Sequence, residues 1–140
     1  MLPEHYFAVD LGATSGRTIL ATYDGHRVSM REITRFENPM IPSGGHLFWD
    51  IAALYNEILR GLKAVADEGL EIKSIGIDTW GVDYGLLDKN GRLMGNPYCY
   101  RDPRTTTGIM EEVFDKLGKK ELYSRTGTQF MNFNTLFQLA

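Results

Sequence analysis

The sequence predicts an α/β domain with a central mixed β-sheet flanked by helices. Three observations carry that expectation. The first forty residues hold three β-type segments in succession, separated by glycine-bearing turns. A long amphipathic segment follows, with apolar residues at three- and four-residue spacing. Behind it comes another apolar run, so that strand, helix and strand succeed one another, the order from which layered α/β folds are made. At 140 residues the chain is long enough for about one domain with a real core.

Taken in order, Phe7-Ala8-Val9-Asp10-Leu11 reads as an apolar strand ending in a carboxylate. After the turn Gly12 to Arg17, Thr18 to Tyr23 is β-branched and aromatic and stops at Asp24-Gly25, a second strand. Val28 to Phe36 alternates with period two and predicts a third, edge-facing strand with Val28, Met30 and Phe36 on its apolar face. The phase slips near Ile33, as a bulge would make it. Residues 38–45 are rich in turn formers and read as a loop, before the short apolar stretch His46 to Trp49.

Asp50 is placed to cap a helix running from Ile51 to Asp67, with Ile51, Leu54, Tyr55, Ile58, Leu62 and Val65 as its buried stripe and Gly69 as its stop. Ile72 to Thr79 is a further strand, and Lys89-Asn90-Gly91 reads as a hairpin-type turn. Pro103 marks a helix start. Ile109, Val113, Phe114 and Leu117 give an apolar stripe ended by Gly118, and Lys119 to Arg125 gives a short helix. Asn134 is a good N-cap for a last helix that has only begun at Ala140, so the chain is expected to be a piece of a longer protein.

Composition narrows the function classes. A net charge of −3 argues against a nucleic-acid or anionic-membrane surface. No apolar run is long enough to span a bilayer, and Met1-Leu2-Pro3-Glu4-His5 lacks a basic signal-peptide start, so the cytoplasm is expected. Cys99 is the one cysteine, which leaves no internal disulfide and suggests a packed thiol. The three histidines are scattered without metal spacing.

The chemistry sits in the first turn. Glycines let a backbone approach a ligand closely, and successive N–H groups can form an anion-binding nest. The hydroxyls of Thr14 and Ser15 and the guanidinium of Arg17 add donors, while Asp10 could hold magnesium directly or through water. Because a strand follows, the dinucleotide and Walker readings fall away, since both would open a helix there. From these residues alone a phosphate cradle and an ordinary glycine hairpin both stay open.

Four separated segments resemble one family in matching order. Ala8 to Arg17 is similar to the first phosphate motif of the FGGY carbohydrate kinases. The segment Ser74-Ile75-Gly76-Ile77-Asp78-Thr79-Trp80-Gly81-Val82-Asp83 resembles the sugar-facing strand of that family's rhamnulokinase branch. Tyr100 to Thr105 and Gln129 to Leu136 resemble further segments of the same branch. The likeness spans essentially the whole chain. It implies an actin-like, ribonuclease H-like lobe, here as residues 1–140 of a partial N-terminal lobe. It also implies transfer of the ATP γ-phosphate to the 1-hydroxyl of L-rhamnulose, with magnesium. Nucleic acid and membrane are not expected as partners. The family's general base and second phosphate loop match nothing here, so the chain alone is expected to be inactive.

The resemblance assigns roles. Asp10 would be the magnesium-linked carboxylate, and Ala13, Thr14, Ser15, Gly16 and Arg17 the nucleotide-phosphate turn; the bland readings are an end-of-strand turn residue and a solvated charge. Gly81 would let a sugar lie against the backbone, with Trp80 and Asp83 beside it, although a tryptophan after a strand is as often core. Asp78 can be purely structural. Arg101, Asp102 and Arg104 either line a sugar cleft or form a salt-bridged helix start. Gln129 and Asn132 lie in a loop that would face sugar. Two rivals remain: an FGGY kinase for fuculose, xylulose or a polyol, and a non-catalytic nucleotide- or sugar-binding domain on the same fold.

Overall fold

A computed structural model describes residues 2–140 and divides the chain into two compact units. The first comprises the chain up to Pro39 together with Asp50–Gly81. Its four-stranded sheet has the order β3-β2-β1-β6, formed by β1 (Glu4–Leu11), β2 (Ser15–Tyr23), β3 (Val28–Glu37) and β6 (Ile72–Thr79). The first three strands are antiparallel neighbours, and β6 returns parallel to β1 through helix α1 (Ile51–Asp67). The sheet is therefore mixed, as expected.

Asp50 caps α1, its Oδ1 accepting the Ala53 N–H at 2.9 Å. Gly69 leaves the helix at φ 73°, a left-handed conformation that suits glycine. The helix packs on β2 and β3 and closes a core of Phe7, Val9, Leu20 and Val65, flanked by Leu11, Ile33, Ile58, Leu62, Leu70 and Ile72. Close approach is possible because Gly61 has no side chain: a Cβ there would sit 2.3 Å from Thr18 Oγ1. The bulge falls where the pattern slipped, since Thr18 pairs with Thr34 and Ile19 with Glu32, leaving Ile33 unopposed. Two expectations fail. Val28 and Met30 are 61% and 75% exposed, so only Phe36 of the anticipated β3 face is buried, and Tyr55 of α1 is also exposed. Regular alternation identified the strand without identifying which end of it the helix covers.

The second unit comprises Met40–Trp49 and Val82–Ala140. The stretch expected to be a loop is a hairpin of β4 (Met40–Ser43) and β5 (His46–Trp49). Gly44 and Gly45 turn it with φ 59° and 84°, the paired positive values that two-residue hairpins need. Pro42 in β4 obscured the strand, because proline cannot donate to a ladder. The Asn90-Gly91 turn closes only an isolated bridge between Leu87 and Leu93, held by Asp88 Oδ1 accepting from the N–H groups of Asn90 and Arg92. A 3-10 turn at Pro103–Thr105 precedes α2 (Ile109–Leu117), α3 (Lys119–Thr126) and α4 (Thr135–Leu139). Aromatic edges join these helices, Phe114 packing against Phe130 and Phe137. Asn134 occupies the N-cap position of α4, but its side chain accepts from the Met131 N–H instead of capping the helix. Cys99 is buried, and burial pushes its thiol pKa up, as befits a packing residue.

Candidate functional site: a phosphate-type turn and a sugar-type segment

The first turn is tighter than its glycines suggested. Only Gly12, Ala13 and Thr14 lie between β1 and β2, and Ser15 to Arg17 already belong to the second strand. The Gly12 N–H donates to Ser15 O at 2.9 Å, and a Cβ on Gly12 would stand 2.7 Å from that same oxygen. Gly16 is buried against the Phe36 ring, which a Cβ would meet at 2.4 Å. Both glycines are thus explained by packing within the hairpin and against its neighbour strand β3. Asn38, buried, braces the loop from outside, donating its backbone N–H to Thr14 O and its side-chain amide to Gly12 O. Nothing in the local sequence marks Asn38 for that task.

Around this turn lies a cleft of about 320 Å³ lined by Asp10, Gly12, Thr14, Ser15, Gly16, Arg17 and Arg35. Ala13 is not among its walls. Asp10 and Arg17 are register partners on adjacent strands and form a salt bridge, Nε to Oδ2, at 2.8 Å. Each side chain is 44% exposed, so the pair is solvent-screened and holds the fold by no more than about 1 kcal/mol. Such a pair can exchange partners cheaply when a phosphate or cation enters.

At the end of β6, the Trp80 N–H donates to Leu11 O at 3.2 Å, carrying the β1–β6 contact one residue beyond the ladder. Gly81 follows, exposed, and a Cβ on it would meet nothing within 4 Å. Its missing side chain answers no packing need within the chain.

In the second unit, Val82 has φ 71°, a strained conformation for a β-branched residue that costs about 1–3 kcal/mol. Its carbonyl accepts from Thr135 Oγ1 at 2.7 Å and from Gln138 Nε2 at 3.1 Å. Asp83 is held through both oxygens, Oδ2 by Trp49 Nε1 at 2.6 Å and Oδ1 by Gln138 Nε2 at 3.1 Å. Buried Gln138 joins this turn to Arg104, whose Nη2 donates to its Oε1 at 2.6 Å.

Asp102 is fully buried, accepting from the backbone N–H groups of Leu47 and Arg104 and from the His46 ring. Burial would push its carboxyl up, but those donors outweigh it and hold the pKa below the ordinary carboxylate value. Of the two readings for this segment, the salt-bridged helix start fits Asp102 and Arg104, and Arg104 also lies over the Tyr98 ring at 4.1 Å. Arg101 is exposed over Tyr100, Asn132 reaches Thr105 Oγ1 at 3.3 Å, and Gln129 is exposed while its carbonyl accepts from Asn134. Among the described residues no group of three or more His, Cys, Asp or Glu side chains could hold a metal, and no helix is long and apolar enough to cross a membrane.

Comparison with known proteins shows the family. The model of the FGGY family of carbohydrate kinases, N-terminal domain, matches residues 5–140. A rhamnulokinase from Bacteroides thetaiotaomicron is 54% identical over 138 residues, covering 99% of this chain and 28% of that protein. One from Mannheimia succiniciproducens is 53% identical over 134 residues, covering 94% and 28%. The chain therefore spans under a third of the length of these relatives. Among solved structures, a gluconate kinase and a xylulose kinase, both from Lactobacillus acidophilus, superimpose with TM-scores of 0.79 and 0.78 over 99% and 97% of this chain. These cover 28% and 27% of those proteins at 15% identity, a likeness of fold. The chain belongs to the FGGY family of carbohydrate kinases, whose N-terminal-domain model it matches over residues 5–140.

Proposed function

We propose that the protein carrying this chain transfers the γ-phosphate of ATP to the 1-hydroxyl of L-rhamnulose, and that residues 1–140 form part of its N-terminal lobe. The observation that carries the reading is 54% identity to a rhamnulokinase across essentially the whole chain. The open cleft at the first turn supports it chemically. Phosphoryl transfer depends on positioning and charge stabilisation, so donors, one cation and a carboxylate beside a tight turn suffice on this side of the nucleotide.

The residues present fit magnesium-ATP. Arg17 and the hydroxyls of Thr14 and Ser15 would bind phosphate oxygens in a cleft large enough for them, with Ala13 in the loop and Gly16 at the start of β2 shaping its backbone. Asp10, half-exposed and in a screened ion pair with Arg17, would hold magnesium directly or through water. The metal ion, when bound, supplies neutralisation of the charge that develops on the transferring phosphoryl group. Gly81 would take the sugar against bare backbone, with Trp80 beside it. Asp83, held by Trp49 and Gln138, is a weaker candidate for sugar hydroxyls beside Arg101, Gln129 and Asn132. The general base and the second phosphate loop belong to sequence outside this chain, and the protein works in the cytoplasm without nucleic acid or membrane.

The test uses the full-length protein, with phosphorylation rates measured for L-rhamnulose, L-fuculose and xylulose. L-Rhamnulose is expected to give the highest kcat/KM. A clear preference for another sugar moves the assignment within the family, and no sugar-dependent ATP turnover at all replaces it with a binding module.

A further inference from the structure

Arg35 is the one wall of the first cleft that the turn motif does not include, and strand register puts it there. Across the sheet, Asp78 of β6 pairs with Asp10 of β1, Asp10 with Arg17 of β2, and Arg17 with Arg35 of β3. Directly paired residues project to the same face of a sheet. One row thus reads carboxylate, carboxylate, guanidinium, guanidinium across four strands.

Like charges directly opposite each other are unfavourable in a sheet, and this row contains two such pairs. Two adjacent guanidiniums become favourable when an anion lies between them. Here the row ends beside a turn that offers hydroxyls and a cleft open to solvent. Arg35 is meanwhile held by Glu32, three residues earlier on its own strand, through Nε at 3.1 Å and Nη2. That pair is also exposed, 54% and 42%, and is as exchangeable as the pair between Arg17 and Asp10. Each arginine thus carries its own removable carboxylate.

We propose that Arg35 is a second phosphate-binding cation of this site, leaving Glu32 to share the nucleotide's terminal phosphates with Arg17. The inference rests on the nucleotide reading above. It adds a residue from β3, some twenty positions beyond the turn motif, that only the sheet brings into reach.

The test is made in the full-length protein by calorimetric titration with a non-hydrolysable ATP analogue and with AMP, alongside ATP and sugar KM. Arg35→Ala is expected to weaken analogue binding and raise the ATP KM about ten-fold, the loss of one charged contact in a partly screened cleft. AMP affinity and sugar KM should stay within about two-fold, since neither involves the terminal phosphates. Glu32→Gln, which frees Arg35, is expected to tighten the analogue instead. Were Arg35 only a structural partner of Glu32, both variants would break the same ion pair and shift binding in the same direction, and that result overturns the proposal. Arg17→Ala separates the two layers of argument. If it weakens the analogue while Arg35→Ala does not, the Arg35 assignment falls and the phosphate turn stands. If neither matters, the phosphate reading of the turn falls with it.

Discussion

Asp10 and Asp102 are both aspartates paired with an arginine, and they differ in everything around the pair. Asp10 lies 44% exposed at a strand end, bonded at 2.8 Å to an equally exposed Arg17 beside an open cleft. Asp102 has no exposed side-chain surface and gathers two backbone N–H groups, a histidine ring and, at 3.6 Å, an arginine. Water screens the first pair, so separating it costs little and its charges remain at the disposal of a ligand. The second carboxylate has been fully desolvated, and every donor around it is needed to offset that cost. Equal charge pairing in sequence therefore conceals an exposed, exchangeable pair in one unit and a buried, fixed one in the other.

The comparison breaks most visibly if the two aspartates are neutralised in turn. Asp10→Asn in the full-length protein is expected to reduce kcat by about 10²–10³, the scale for removing one preorganised electrostatic contact to a transition state. Stability should change by no more than about 0.5 kcal/mol, as for other surface substitutions. Asp102→Asn is expected to show the reverse emphasis, with a loss of about 3 kcal/mol in denaturant unfolding because a buried charge network is broken. ATP and sugar KM should be unaltered in whatever fraction remains folded. A stable, inactive Asp102 variant would place that carboxylate at the reacting groups and erase the contrast.

Gly81 sharpens the same distinction among glycines. Gly12, Gly16 and Gly61 are each blocked by an atom of this chain within 3 Å of a Cβ, whereas Gly81 faces open space. Gly81→Ala is therefore expected to fold normally, with stability equal to or slightly above that of the parent. If the sugar lies against this residue, its KM should rise about ten-fold, the cost of one methyl group in the wrong place, with the ATP KM unchanged. An unaltered sugar KM would remove Gly81 from the site.

How much of this was legible differs between the units for a physical reason. In the first unit the structure depends on short-range signals: Asp50 three residues before the amide it caps, apolar spacing along α1, and a phase slip at Ile33 that became a bulge. Local periodicity and capping report such features directly. The first turn was legible as a tight glycine-bearing connection, but the reason for its glycines was not, because Ser15 O and the Phe36 ring enter only when the hairpin and its neighbour strand form. Local sequence does not mark Arg35 for the same reason, since register alone sets it opposite Arg17. In the second unit the important contacts span long separations, such as Asp83 with Trp49 and Gln138, or His46 with Asp102. No local pattern encodes them. The hairpin Met40–Trp49 is not legible in the sequence, although Gly44-Gly45 suits a two-residue turn, because Pro42 argues against a strand.

The smallest expected effect concerns acid. The donors around Asp102 hold its folded pKa below the reference value of 3.8, so the ionised form is favoured by folding. The stability this supplies is fully present above 3.8 and is lost as pH falls through the depressed folded value, when the proton must be taken up at the expense of those bonds. Asp24 also titrates low, through the N–H groups of Arg27 and His26, but it lies at an exposed turn where solvent screens the effect. Between about pH 5 and 2 the parent protein should therefore lose stability more steeply than Asp102→Asn, whose side chain does not titrate. Denaturant midpoints measured across that range for both proteins give the two slopes directly. Parallel slopes would mean that the buried carboxylate is not held in its charged form, and that the unit containing it is fixed by packing alone.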